Sequence, residues 1–371
     1  MRLTRAEIDL RYLRNNFDGI KKRITENVKI MGIIKANAYG HGLLEIARAL
    51  MGFGIDYLGV GFLEEGVTLR QNGIDIPILV LGGVLGSQVR EFLQYDLEIT
   101  VSSLEIAERI EHEVPNNNRK KARVHLKIDT GMERIGVHSE NAAQFIERVC
   151  RMPHLEVVGI YSHLASADEK DKAFTFYQLD RFQSVIKKIR MMGIEIPHIH
   201  IANSGAILDL PESYFTMVRP GISLYGIYPS KETSESIPLQ PILTLKSHVV
   251  FIKEVAPNTS ISYGRKYFTS KKSRIATIPI GYGDGYSRRL SNNSEVLIHG
   301  NRFPVVGIIC MDQIMVDVGF EANVHVGDDV VLIGKDGDQN IAVWELSNKL
   351  GTVPYEVLTG IAARVPRMFI H

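Results

Sequence analysis

The sequence predicts an α/β protein: an N-terminal (β/α)8 barrel followed by a mostly β C-terminal domain. Three observations predict it. Short apolar runs alternate with segments of helical spacing through the first two-thirds of the chain. A polar stretch holding proline and serine, PSKETSESIPLQP at 229–241, then breaks the pattern. Beyond it the runs become rich in Val, Ile and Thr, with Gly, Asp and Asn between them. Pattern alone leaves an open doubly wound sheet as the alternative.

The strand-like runs of the first part are residues 28–34, 57–60, 76–81, 97–101, 124–128, 157–161, 198–201 and 215–218. Helical spacing falls between them, at 42–50, 64–71, 89–95, 105–113, 141–151 and 171–192, and an amphipathic segment, 5–24, comes first. In the second part, 243–255, 274–280, 295–298, 302–309, 313–318 and 329–333 read as strands and 342–350 as a helix. The chain of 371 residues suits two domains at about 100–200 residues each. We assign 1–240 to the barrel and 241–371 to the β domain.

Composition narrows the function classes. Hydrophobic residues make up 45% of the chain and the formal charge is +1. A large core is therefore expected, and no excess charge draws the protein to nucleic acid or anionic lipid. The basic runs Arg119-Lys120-Lys121 and Lys271-Lys272 read as solvated surface. Cys150 and Cys310 fit no metal or CxxC spacing, which argues for a reducing compartment. No signal-like segment and no membrane-spanning run is present in the sequence. A cytoplasmic protein is expected.

Barrel active sites lie at the C-terminal ends of the strands, and polar residues cluster just past those ends. They are Lys35, Asn37 and Tyr39; Asp129 and Arg134; His163; Asn203, Ser204 and Gly205; and Arg219, Pro220 and Gly221. Lys35 ends an apolar run. Burial would favour its neutral, nucleophilic amine, whereas a solvent-facing ammonium is the plainer reading. The Gly40-His41-Gly42 that follows suggests a tight, exposed turn. Ser204 opens a short helix, as an anion site or as an ordinary N-cap. A strand-end lysine beside an anion cradle suggests pyridoxal phosphate. His198 and His200 lack a nearby third ligand, so a metal site is not expected.

The chain resembles the alanine racemase family over essentially its whole length. The motifs are IIKANAYGHG at 33–42, LKIDTGMERIG at 126–136, SHLASAD at 162–168, ANSGA at 202–206 and VRPGISLYG at 218–226. In the β part they are SYG at 262–264, IPIGYGDGY at 278–286, CMDQ at 310–313 and YEVLTGIAARVPR at 355–367.

The resemblance implies a fold-type III pyridoxal 5'-phosphate isomerase, a homodimer with shared sites that supplies D-alanine for the cell wall. Lys35 resembles the lysine that holds the cofactor and handles the α-proton of the D-isomer, leaving that of the L-isomer, on the opposite face, to a second group. Tyr263 resembles the second acid/base group, donated by the partner subunit. Tyr39, Ser204, Gly221, Ile222 and Tyr355 look like phosphate ligands, with Asn203 beside them. Arg219 resembles the residue facing the pyridine nitrogen, with His163 behind it. Arg134 looks like the partner of the cofactor's phenolic oxygen and of the substrate carboxylate, Met311 resembles the residue whose backbone N–H, from the partner subunit, also holds that carboxylate, Tyr282 resembles the residue that narrows the entrance, and Lys127 falls where many members carry a carbamylated lysine. An arginine at 219 has no acceptor and is not expected to release its proton, which weakens the electron sink and disfavours transamination.

Read without the resemblance, Tyr263, Tyr282, Tyr355 and Met311 are ordinary interface or core residues. Arg134, Arg219 and Lys127 are then ordinary surface charges. One departure stands out: Ile308 takes a position near the entrance where the family usually has arginine. Substrates larger than alanine are therefore expected to turn over. The rival readings are a serine or basic amino-acid racemase, a decarboxylase with a carboxylate against the ring nitrogen, and a non-catalytic pyridoxal-phosphate carrier.

Overall fold

The computed structural model describes residues 3–115 and 121–371. Arg119 and Lys120 of the basic run lie outside the described residues. The chain forms two compact units, residues 12–38 with 43–240, and residues 1–11 with 39–42 and 241–371.

The first unit is a nearly closed barrel of eight parallel strands. They are Lys29–Ile33, Tyr57–Val60, Ile78–Val80, Glu98–Val101, Ala122–Asp129, Leu155–Tyr161, His198–His200 and Met217–Val218, each paired with its successor through the seventh. The eighth pairs with the first. Between the seventh and eighth, closure rests on single backbone bonds, Thr216 N–H to Ile199 O at 3.2 Å and Arg219 N–H to Ala202 O at 3.0 Å. Several strands are buried along their whole length, as expected where helices cover the outside and side chains fill the inside. This explains why the strands read as continuous apolar runs in the sequence. The covering helices, including Leu43–Phe53, Leu63–Gln71, Leu104–Glu113 and Ala173–Met191, fall where the spacing predicts them.

The second unit is mostly β. Its main sheet runs Asn301–Pro304, Glu295–Ile298, Asp329–Asp336, Leu243–His248, Arg5–Asp9 and Arg367–Ile370. A three-stranded sheet joins Phe251–Val255, Ser273–Ile278 and Ile314–Asp317.

Local readings of the sequence are corrected at several points. Segment 5–24 is not one helix: Arg5–Asp9 is a strand and only Leu10–Arg23 is helical. Ala6 and Ile8 are buried while their neighbours are not, a period of two that the helical spacing downstream obscured. Run 243–255 is two strands, divided at 249–250. The strand expected at 302–309 ends at Pro304. The turn at 40–42 is not exposed, since His41 is fully buried. Arg367 Nε donates to Gly40 O at 2.9 Å, and a Cβ on Gly40 would lie 2.3 Å from Leu358 O.

Candidate active site

Lys35 leaves the first barrel strand into an unusual turn. Ala36, Asn37 and Ala38 all have left-handed dihedrals near φ 52–55°, and Tyr39 follows at φ 53°. Left-handed helix costs about 1–2 kcal/mol per residue. It persists here because Ala38 N–H donates to Ile34 O at 2.8 Å and Leu43 N–H donates to Asn37 Oδ1 at 2.8 Å. Backbone strain of this kind collects at functional sites. Lys35 is exposed at the barrel mouth, yet its amine is held below the ordinary lysine range. Desolvation is the largest cause, followed by Arg134, with Arg219 adding to it and Glu65 opposing. Its stem passes Gly61, where a Cβ would sit 3.4 Å from Lys35 Cβ.

Arg219, past the eighth strand, is 3% exposed. Its Nη1 meets His200 Nδ1 at 2.8 Å. Its Nη2 donates to Ser162 O at 2.8 Å and Ile201 O at 3.1 Å and meets His163 Nδ1 at 3.1 Å. Burial pushes its pKa down to about 10, lower than expected for arginine but still charged at neutral pH. Desolvation, then Arg219 and Arg134, hold His163 well below the usual imidazole range. A neutral His163 accepts from the guanidinium.

Ser204 and Gly221 meet as the sequence suggests. The helix is Ser204–Asp209, and its N-cap is Asn203 rather than Ser204, with Asn203 Oδ1 accepting from Ala206 N–H at 3.1 Å. Ser204 is thus not spent on capping. Its Oγ accepts from Gly221 N–H at 2.9 Å and from Ser223 Oγ at 3.0 Å, which occupies its lone pairs and leaves its proton for another acceptor. Ile222, next in the loop, is buried.

Lys127 and Asp129 stand at the end of the fifth strand. Burial alone would raise the Asp129 carboxyl, but N–H groups of Gly131 and Glu133 more than offset it and the pKa falls. Arg134, in the same loop, is exposed. Lys127 is 3% exposed and donates to Ile128 O at 2.8 Å. Desolvation pushes its amine down to about 7 against attraction from Asp129, with Arg219 and Arg134 adding to the fall. The folded pKa lies below the unfolded 10.5, so between the two values the unfolded chain holds the extra proton. Stability should rise with pH from about 7 to 10.5, by up to about 1.4 kcal/mol per unit from this group. Below that window both states hold the proton and the contribution is flat. Urea melts in bicarbonate-free buffer should show this rise in the wild-type protein relative to Lys127→Met; parallel pH curves would contradict it.

The second unit gathers the remaining residues. Tyr39 and Tyr355 pack with ring centroids 5.9 Å apart. Tyr282 N–H donates to Cys310 O at 3.0 Å and Gly283 N–H to Met311 O at 2.9 Å. Gly281 is required there, because a Cβ would lie 2.2 Å from Cys310 O. Ser262 Oγ, beside Tyr263, donates to Ile308 O at 2.5 Å. Tyr263, Tyr282 and Met311 thus share one stitched surface and stand open, at 69%, 42% and 53% exposure.

Three features escaped sequence reasoning. Glu65 accepts from Gly61 N–H at 2.8 Å and faces Lys35 electrostatically. Arg364 bridges Asp284, Asp312 and Met311 O. Glu98 and His125 are buried inside the barrel and bonded to each other, with His125 bonded on to His200. The last group did carry a signal, as polar residues in otherwise apolar strands. His200 is bonded to Arg219 and His125, and among the described residues no group of three or more His, Cys, Asp or Glu is placed to hold a metal ion. Among them also, no helix is long and apolar enough to cross a membrane.

Residues 8–229 match the family model described as alanine racemase, N-terminal domain, and 242–369 that of alanine racemase, C-terminal domain. The chain is 46% identical to the alanine racemase of Halothermothrix orenii, over 99% of this chain and 97% of the relative. It is 45% identical to alanine racemase 2 of Caldanaerobacter subterraneus subsp. tengcongensis, over 100% and 96%. Among solved structures, the alanine racemase of Clostridium difficile 630 superposes with a TM-score of 0.95 at 42% identity, covering 100% of this chain and 96% of that one.

Proposed function

Because the chain belongs to the alanine racemase family, we propose that it is the isomerase that interconverts L- and D-alanine, with pyridoxal 5'-phosphate held on Lys35. The observation that carries this reading is the pairing of a lowered-pKa amine at the barrel mouth with a buried arginine that, among the described residues, has no carboxylate as a hydrogen-bond partner.

The donor set fits the cofactor. Lys35 supplies the amine for its aldehyde. No hydrogen bond among the described residues engages Arg219 Nε, which leaves a donor for a ring nitrogen. The free proton of Ser204 and the loop of Gly221 and Ile222 suit the phosphate, and the family likeness adds Tyr39 and Tyr355 to its ligands. Bound there, the cofactor would acidify an amino acid's α-hydrogen by drawing its electrons into the ring.

The chain's own residues do the rest. Lys35 Nζ takes or returns the proton on one face of the α-carbon, and Tyr263 Oη does so on the other. Arg134 and the backbone N–H of Met311 from the partner subunit hold the substrate carboxylate, and Tyr282 narrows the entrance. Arg219, backed by His163, would hold the ring nitrogen as a donor without giving up its proton. Asn203 caps the helix that presents Ser204. Lys127, with much of its amine neutral near pH 7, is suited to add carbon dioxide as a carbamate and orient Arg134. The exposure of Tyr263, Tyr282 and Met311 supports a homodimer in which one protomer's β unit covers its partner's site. A cytoplasmic setting, with D-alanine destined for the cell wall, fits this activity.

The test is exchange in deuterated water with chiral analysis of alanine, serine and lysine. L-Alanine should yield both enantiomers carrying α-deuterium. No exchange and no D-alanine from the cofactor-loaded protein would refute the assignment. Ile308 favours a second, broader reading, in which serine or lysine turns over at a comparable rate; strict preference for alanine would exclude it.

A further inference from the structure

A line of buried polar groups runs from the mouth of the barrel to its opposite end. Arg219 Nη1 meets His200 Nδ1 at 2.8 Å. His200 Nε2 meets His125 Nδ1 at 2.9 Å. His125 Nε2 meets Glu98 Oε2 at 2.8 Å. All four side chains are at most 3% exposed. Glu98 opens the fourth strand and His200 closes the seventh, so the line spans the core from one strand end to the other.

Donor chemistry gives the line one direction. A guanidinium can only donate, so His200 Nδ1 must accept and the ring's proton sits on Nε2. That proton points the bond at His125, whose Nδ1 must then accept. The His125 proton therefore sits on Nε2 and goes to Glu98. Both rings are neutral Nε2–H tautomers, and the positive end at Arg219 is joined to the negative end at Glu98 by three aligned hydrogen bonds. Burial and the nearby Arg219 hold His200 well below the usual imidazole range, consistent with its neutral form.

The fold makes room for this line. On the sixth strand, Gly159 faces His125, and a Cβ there would lie 2.0 Å from His125 Nδ1. The register between the fifth and sixth strands shifts between Val124 and His125, a bulge of the kind that re-aims a side chain. Tyr161 stacks on His200 at 4.9 Å, nearly parallel, and bonds Thr100 Oγ1 at 2.9 Å. At the far end Arg123 Nε lies 3.5 Å from Glu98 Oε1, and His198 and Tyr57 pack against His125.

We propose that Glu98, His125 and His200 form a polarised relay that supplies the counter-charge of Arg219 through the barrel core and holds it as a pure donor toward the ring nitrogen. This rests on the function proposed above. A buried arginine is costly without a carboxylate partner, and among the described residues none bonds Arg219 directly; the relay delivers one through two imidazoles. Glu98 and His125 are thus positioning residues for the reaction, at the end of the barrel remote from the substrate.

Glu98→Gln keeps the shape and an acceptor oxygen but removes the charge. In the cofactor-loaded enzyme, kcat for alanine should fall about tenfold, the scale of losses when a supporting partner of a site group is removed. KM should stay nearly constant and the absorption maximum of the bound cofactor should shift. A merely structural glutamate would lower the melting temperature and leave spectrum and kcat alone, which would overturn the proposal. The second measurement needs neither the variant nor the cofactor. Nitrogen-15 NMR of the wild-type imidazoles should find His125 and His200 both protonated at Nε2, and a proton on Nδ1 of either ring would overturn the relay. If the wild-type protein neither binds pyridoxal phosphate nor racemises alanine, the functional reading fails, while the NMR result still judges the relay.

Discussion

Lys35→Ala is expected to abolish racemisation and to leave a protein that loses its yellow colour on dialysis. Two roles are removed at once. In the proposed function the amine is the covalent attachment point and also the acid/base group on one face. Acid/base assistance alone is worth on the order of 10²–10⁴-fold, and losing the attachment adds to that. The environment is built for a reactive amine, since desolvation first, and Arg134 and Arg219 after it, hold its pKa below the ordinary value. The left-handed turn from Ala36 to Tyr39 spends conformational energy directly after it. Absorbance after dialysis, with a chiral assay, checks the outcome. A variant that stays coloured and retains turnover within tenfold of wild type would place the attachment elsewhere.

Tyr263→Phe should separate the two faces. Removing one hydroxyl leaves the cofactor attachment untouched, so colour and cofactor content should match wild type. Exchange of the α-hydrogen from L-alanine should fall by on the order of 10³-fold, while exchange from D-alanine, assigned to Lys35, should persist. Tyr263 is 69% exposed within its own chain, on a surface shared with Met311 and Tyr282. A phenol required for chemistry is poorly used facing water, and that motivates its assignment to a partner's site. Mixing Lys35→Ala with Tyr263→Phe protomers should therefore restore a fraction of activity, through dimers that hold one intact site. No recovery on mixing, together with wild-type exchange from L-alanine by Tyr263→Phe, would remove Tyr263 from the mechanism.

The barrel was legible because its strands are buried on both faces. Tyr57–Val60 and Glu98–Val101 have every residue buried, so each strand appears as a short apolar run with helical spacing after it. The β unit was less legible. Leu243–His248 buries one face and Phe251–Val255 none, and 243–255 therefore merged two strands. Arg5–Asp9 was misread because its pairing partners, Leu243–His248 and Arg367–Ile370, are more than 200 residues away in the chain. Local spacing carries no trace of such a partner.

The sequence by itself determined the two-part architecture, the family, and the identity of the polar residues past each strand end, because apolar periodicity and residue chemistry are local properties. Tertiary structure alone decided what those residues do to one another. Only folding shows that Asn203 caps its helix and releases Ser204. Only folding pushes Lys127 down to about 7 by burying it beside Arg219 and Arg134. It also aligns Arg219, His200, His125 and Glu98 from four different strands or their ends into one bonded line. Hydrogen bonds and pKa values depend on distance and on exclusion of water, and residues far apart in sequence acquire both only when the barrel closes.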